Sequence, residues 1–338
     1  MEFQTPCLRL LVISLSLLLL SMPSSGVVYS PCDFPAIFNF GDSNSDTGAE
    51  KLGLPYLSAY LGSNFTHGAN FATGGFNPVS LNVQWYQFAE FITRSQTVRQ
   101  RGGVYKELMP RQEYFGRALY TFDIGQNDLA AGYYNNMSTA QVKKSFPDIL
   151  AQLSTIIKDI YEQGGRYIWI HNTGPVGCLP YVLDQFLITA VQIDNVGCAT
   201  PFNQVAQFFN SRLLEMVIKL RKDLPSAAIT YIDVYKVKYL LISQAKRHGF
   251  EHPLRACCGH GGKYNFNPRH GCGSKVTVNG TKILLGKSCQ NPLARINWDG
   301  VHYTEARNKF VFEQIVDGAY SDPPIPLHMA CRRVNTGS

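Results

Sequence analysis

The sequence lacks most of what would mark a nucleic-acid-binding, multidomain or membrane-spanning protein. Only 16% of its 338 residues are charged, and its net charge is a modest +7. The basic residues are scattered, with "KKSF", "RKDL" and "CRRV" standing far apart, so no patch is dense enough to hold nucleic acid. What remains is a weak attraction to an anionic surface such as an acidic polysaccharide. No Ser/Gly linker, charge block or internal repeat divides the chain, which leads us to expect one domain over residues 27–338. Beyond the N-terminal segment no apolar run is long enough to serve as a stable membrane anchor.

What is present begins with Arg9, an apolar run from Leu10 to Leu20, and small residues at Ser24 to Gly26. That order is the layout of a signal peptide over residues 1–26, and the run is too short to span a bilayer comfortably as an N-terminal anchor would have to. Three sequons, at Asn64, Asn136 and Asn279, would accept N-glycans on surface loops of an exported protein. Eight cysteines remain once Cys7 leaves with the signal: Cys32, Cys178, Cys198, Cys257, Cys258, Cys272, Cys289 and Cys331. An even number in an oxidising compartment suggests disulfides, with the pairing left open. A secreted, extracellular glycoprotein is the expectation.

Short β-rich runs alternate with longer helical patterns. "AIFNF" (36–40), "ALYTFDIG" (118–125), "YIWIHNTG" (167–174) and "AITYIDVY" (228–235) read as strands. Residues 139–163 and 203–223 carry apolar side chains at helical spacing, and Gly164-Gly165 and Pro225 follow them as stops. Alternation of this kind implies an α/β three-layer sandwich around a mostly parallel sheet. Ligands bind such sheets beyond the carboxyl ends of the strands. "AIFNF" leads into Gly41-Asp42-Ser43, "ALYTFDIG" into Gln126-Asn127-Asp128, and "YIWIHNTG" into Pro175-Val176-Gly177. A fourth segment, "INWDGVHYTEARNKFVFEQIV", places Asp299 three residues before His302 and then a helix to about residue 317.

Those groups suit acyl transfer. A serine hydroxyl needs a base to take its proton, and the usual base is an imidazole held by a carboxylate. Ser43, His302 and Asp299 supply the three parts. The oxyanion formed by attack would find donors in the Ser43 N–H, a glycine N–H of "GANFATGG" (68–75) and the Asn127 side-chain amide, each worth about 3 kcal/mol. Each fragment taken singly also has a structural explanation: Gly-Asp-Ser as a turn, Asp-x-x-His as a surface or capping pair, Asn-Asp as a helix cap. Their shared place at strand ends favours chemistry.

"FNFGDSNSDTG", "HGANFATGG", "DIGQND", "NTGPVGCLP", "CCGHGGKYNFN" and "INWDGVHYTEA" together resemble the sequence blocks of plant GDSL esterase/lipases of the SGNH hydrolase superfamily. The likeness runs from about Phe34 to Tyr320 and is strongest to the early-nodulin-like acetylesterase branch. It implies a flavodoxin-like SGNH hydrolase fold and a secreted, lipase-like serine carboxylic ester hydrolase. Ser43 would be the nucleophile and His302 the base oriented by Asp299. Gly75 and Asn127 would complete the oxyanion hole with the Ser43 N–H. No cofactor or metal is implied, and the substrate would be a short-acyl ester on a small molecule or a polysaccharide.

The chain departs from that pattern after Gly48, where family members carry several dozen further residues and this one continues at once with "AEKLGLPYLSAYLG". The shortening motivates an alternative, a catalytically impaired glycoprotein that keeps the fold and has a binding or storage role. A zinc site from Cys257, Cys258, His260, His270 and Cys272 is a second alternative; adjacent cysteines and an exported chain favour disulfides instead. Among the remaining histidines only His171, at a strand end, competes with His302, and it has no carboxylate three residues away.

Overall fold

The β-rich runs form strands buried on both faces. A computed structural model describes residues 30–43, 45, 52–73 and 80–333. The chain divides into Met1–Pro31 and Cys32–Ser338, and the fold below is that of the second unit. β1 (Ile37–Gly41), β2 (Gly68–Asn70), β3 (Leu119–Asp123), β4 (Tyr167–His171) and β5 (Ala228–Ile232) run parallel, as near-continuous apolar strands do when helices cover both faces. A two-stranded antiparallel hairpin, β6 (Lys275–Val278) and β7 (Thr281–Leu284), stands off the sheet. β8 (Ser321–Asp322) adds an antiparallel edge beside β5. The sheet order β2-β1-β3-β4-β5-β8 is that of a flavodoxin-like doubly wound fold, and it reverses direction between β1 and β3, where such sheets bind ligands.

Among the described residues the helices of nine residues or more are α1 (Leu81–Gln100), α2 (Gln126–Tyr134), α3 (Phe146–Glu162), α4 (Thr200–Asp223), α5 (Val234–Ser243) and α6 (Glu305–Ile315). One face of the sheet presents Phe38, Phe40, Tyr120, Phe122, Ile168 and Ile170 to α1, α3 and α4. The other presents Ile37, Leu119, Trp169 and Ile232 to α5 and α6. Toward the carboxyl ends of β1, β3 and β4 that second face turns polar: Asn39, Thr121, Asp123 and His171 are buried there, while Ile232 keeps the end of β5 apolar. Two differently composed halves thus meet at the ends of the strands.

Three expectations are corrected. The single helix read over 139–163 is two, Thr139–Lys144 and α3, separated at Ser145, because Pro147 has no N–H to bond back to the preceding turn. The strand read over 228–235 stops at Ile232; Asp233 caps α5 by accepting the Lys236 N–H at 3.1 Å. α6 ends at Ile315, short of residue 317.

All eight remaining cysteines are paired. Cys32–Cys331 joins segments 299 residues apart, Cys178–Cys198 closes a loop of separation 20, and Cys257–Cys289 and Cys258–Cys272 brace the segment before the Asp299 loop. The cysteines that raised the zinc alternative are therefore disulfide partners. Among the described residues no group of three His, Cys, Asp or Glu side chains is placed to hold a metal ion.

An aromatic cluster sits under the first turn of the site. Phe88 of α1 is fully buried, with ring centroids 5.1 Å from Phe38, 5.5 Å from Phe40, 5.6 Å from Phe71 and 5.8 Å from Tyr120. Phe88→Ala should lower stability by about 3–5 kcal/mol in chemical denaturation, since the rigid rings around it cannot collapse into the void. A loss under about 1 kcal/mol would mean that α1 packs otherwise.

Candidate active site

β1 delivers Ser43 through a turn that only glycine permits. Gly41 has φ +142°, and a Cβ there would lie 2.1 Å from the Asp123 carbonyl oxygen, so β1 and β3 stay paired up to Gly41 and Asp123. The Asp42 N–H then donates to the Asp123 carbonyl at 3.0 Å, and the Ser45 N–H to the Asp42 carbonyl at 3.1 Å. Beneath the turn Asn39, fully buried, accepts from Ser45 Oγ at 3.0 Å and Thr121 Oγ1 at 2.5 Å, and donates to Asn70 Oδ1 at 2.9 Å. The polar half of the sheet is thus a hydrogen-bonded floor joining β1, β2, β3 and the turn.

Ser43 Oγ lies 2.6 Å from His302 Nε2, across 259 residues of sequence. His302 Nδ1 lies 2.7 Å from Asp299 Oδ2. The other carboxylate oxygen accepts the backbone N–H groups of Val301 at 3.1 Å and His302 at 2.8 Å, so the Asp-x-x-His spacing is realised as a tight loop. With a proton on Nδ1 donated to Asp299, Nε2 is left as an acceptor facing the serine hydroxyl. Burial opposes ionisation of Asp299, but the bonds from the His302 ring and backbone outweigh it and hold the carboxyl below its ordinary value. The hydrogen bond to Asp299 raises the His302 pKa, against the effect of partial burial.

The loop carrying His302 is held from several sides. Cys257 N–H donates to the Asn297 carbonyl at 2.9 Å, Trp298 N–H to His302 at 2.8 Å, Tyr181 N–H to Gly300 at 3.1 Å, and the Gln126 side chain to Val301 at 3.0 Å. Asn127 sits in the first turn of α2, entered through Gly125 at φ +117°, where a Cβ would meet the Phe209 ring at 2.8 Å. It shares a cavity of about 90 Å³ with Ser43, Ala130, Leu179, Val182 and His302. It also borders a more open cleft of about 480 Å³ with Gly41, Thr73, Gln84, Asp128 and Tyr134. Gly75 lies outside the described residues; the loop that leads to it is tied to β1 by the Thr73 N–H donating to the Gly41 carbonyl at 3.3 Å.

His171 is placed apart, 7% exposed, with Nδ1 3.4 Å from Asp123 Oδ2. It does have a carboxylate partner, one that sequence spacing could not reveal because Asp123 comes from the neighbouring strand in register. Lys238 and Arg307, also missed, are buried beside this pair. Burial pushes Lys238 down to about 8 and Arg307 down to about 10, with Asp123 opposing both shifts. The signal available was charge in unusual places: an aspartate closing an apolar strand, and a lysine and an arginine on helices that cover the sheet. The Asn64, Asn136 and Asn279 positions are all exposed.

The sequence comparisons agree with this geometry. The family model described as GDSL-like Lipase/Acylhydrolase matches residues 37–315. A GDSL esterase/lipase of Arabidopsis thaliana is 52% identical over 89% of this chain and 93% of its own length. The GDSL esterase/lipase ACHE of Zea mays is 50% identical over 91% of this chain and 92% of its own. The GDSL esterase/lipase ENOD8 of Medicago truncatula is 46% identical over 89% and 91%. The first of these alignments is several dozen residues longer than the part of this chain it covers, so the relative carries residues that have no counterpart here. Despite that difference, a match along nearly the whole doubly wound sheet shows that the chain belongs to the GDSL-like lipase/acylhydrolase family and is a carboxylic ester hydrolase.

Proposed function

We propose that this esterase works through an acyl-enzyme on Ser43, on short-acyl esters outside the cell. The observation that carries the reading is the unbroken chain from Ser43 Oγ through the His302 ring to Asp299, with contacts of 2.6 and 2.7 Å. Ser43 Oγ attacks the ester carbonyl while its proton passes to His302 Nε2; Asp299 stabilises the imidazolium. The Ser43 N–H, the Gly75 N–H and the Asn127 amide take the oxyanion. His302 then returns the proton to the leaving alkoxide, the alcohol departs, and a water activated by the same imidazole releases the acid from the serine.

Size supports a short acyl group. The cavity of about 90 Å³ beside Ser43 and His302 is walled by Val176, Leu179, Val182 and Val301 together with Tyr133, Tyr134 and Tyr181. An apolar cavity of about 150 Å³ holds one benzene, so an acetyl to butyryl group is the natural occupant. The alcohol part would extend outward, whether a small molecule or a sugar of a polysaccharide. Export is supported by the four disulfides and the exposed sequon asparagines. No helix among the described residues is long and apolar enough to cross a membrane. The signal peptide over residues 1–26 lies outside the described residues, and the mature chain, residues 27–338, is proposed as one domain. The net charge of +7 favours loose association with acidic cell-wall polysaccharide. The residues lacking relative to the Arabidopsis protein favour one rival, a folded glycoprotein without turnover; the junction proposed for the loss, residues 49–51, lies outside the described residues.

Hydrolysis of p-nitrophenyl acetate by the glycosylated chain, beside Ser43→Ala, separates these readings. Turnover by wild type and only background in Ser43→Ala is expected; a well-folded wild type without turnover would select the rival. Across p-nitrophenyl esters, acetate to butyrate should outpace octanoate by about tenfold or more in kcat/KM, and equal rates would remove the small cavity from the acyl role. The acid limb of kcat/KM should lie above the ordinary histidine value of about 6.5, because His302 must be neutral to act and Asp299 raises its pKa. Asp299→Asn should move that limb to lower pH while slowing the reaction about 10²- to 10⁴-fold. A limb that stays put would mean that another group sets it.

A further inference from the structure

Gly41, two residues before Ser43, lies where β1 loses one of its neighbours. β2 pairs with β1 only as far as Asn70 opposite Asn39, whereas β3 continues to Gly41. The Gly41 N–H and C=O on the β2 side are met instead by a side chain from α1. Gln84 Oε1 accepts the Gly41 N–H at 2.9 Å, and Gln84 Nε2 donates to the Gly41 carbonyl at 2.8 Å, both bonds buried. A primary amide carries donor and acceptor side by side as a peptide does, so Gln84 reproduces a strand's pairing where no strand remains. The same carbonyl accepts the Thr73 N–H, and Thr73 begins the loop toward Gly74 and Gly75.

Gln84 is out of place as a packing residue. It is 3% exposed, and the next buried residues of its helix are Phe88 and Phe91. A buried amide is costly unless both its ends are bonded, and here both are bonded to one residue, Gly41, through the peptides on either side of it. Gly41 leads into the Ser43 turn and its carbonyl is bonded to the Thr73 loop.

We propose that Gln84 is a positioning residue for ester hydrolysis: its amide holds Gly41, and with it the turn that presents Ser43, so that the Ser43 hydroxyl and N–H keep the geometry the oxyanion needs. The inference rests on the reading of Ser43 as the nucleophile. Gln84 touches no reacting atom; it acts through the backbone of Gly41. Its loss therefore lowers kcat and leaves KM nearly unchanged, because the lost contacts matter when the oxyanion forms.

Gln84→Glu and Gln84→Met test it. A protonated carboxyl keeps one donor and one acceptor and can make the same two bonds; the carboxylate has two acceptors and turns one against the Gly41 carbonyl. The carboxyl groups of Asp42 and Asp128 line the same cleft, and with burial they extend the protonated form of the introduced side chain upward in pH. The ratio of kcat/KM for p-nitrophenyl acetate, Gln84→Glu over wild type, should therefore fall as pH rises, with the titration of His302 cancelling. Gln84→Met, which can make neither bond, should be slower by on the order of a hundredfold at every pH, in kcat and not KM. Circular dichroism and thermal midpoints at each pH keep the assays on folded protein. A pH-independent ratio near one for Gln84→Glu, or wild-type kcat in folded Gln84→Met, would overturn the proposal. If Ser43→Ala beside them keeps wild-type activity, the nucleophile assignment has failed instead.

Discussion

One hydrogen bond, 2.6 Å between Ser43 Oγ and His302 Nε2, sets the demand that the rest of the fold meets. Its two ends are 259 residues apart, and a serine is activated only if they meet to within a fraction of an ångström. Ser43 is placed from below, by the parallel pairing of β1 with β3 and the floor around Asn39. His302 is placed from the side, on a loop with little secondary structure of its own. That loop borrows rigidity from the backbone bonds of Cys257 and Cys258, which lie in a segment closed by two disulfides. Order where regular elements are absent is thus supplied covalently.

The two halves of the sheet divide the work. The face toward α1, α3 and α4 is aromatic and aliphatic and supplies stability. The carboxyl half of the opposite face holds Asp123, His171, Lys238 and Arg307 in near-complete burial. Buried cations are tolerated only among compensating groups. Asp42, adjacent to the serine, opposes the burial that pushes Lys238 down and, after Asp299, adds to the rise of His302.

Much of this was legible in the sequence, and the parts that were not share a cause. Buried parallel strands must be apolar along their length, so "AIFNF", "ALYTFDIG" and "YIWIHNTG" located β1, β3 and β4. The polar residues after them fell at the carboxyl edge by the logic of the fold. Asp299 and His302 were readable as a pair because their contact is local, within one loop. Contacts made by topology were invisible: Asp123 faces His171 through the β3–β4 register, Gln84 reaches Gly41 from a different element, and each disulfide joins segments that only the fold brings together. α1 itself was missed because its buried residues, Gln84, Phe88, Phe91 and Ser95, include two polar ones that blur the helical period.

The most direct test of the account is the site of covalent capture. The folded chain, treated with an alkyl fluorophosphonate, should gain one adduct in the intact mass, and peptide mapping should place it on Ser43. His302→Ala should be captured far more slowly, since the hydroxyl then keeps its proton. An adduct on another residue, or none on a well-folded chain, would contradict the claim that the Ser43–His302 contact is the engine of this esterase.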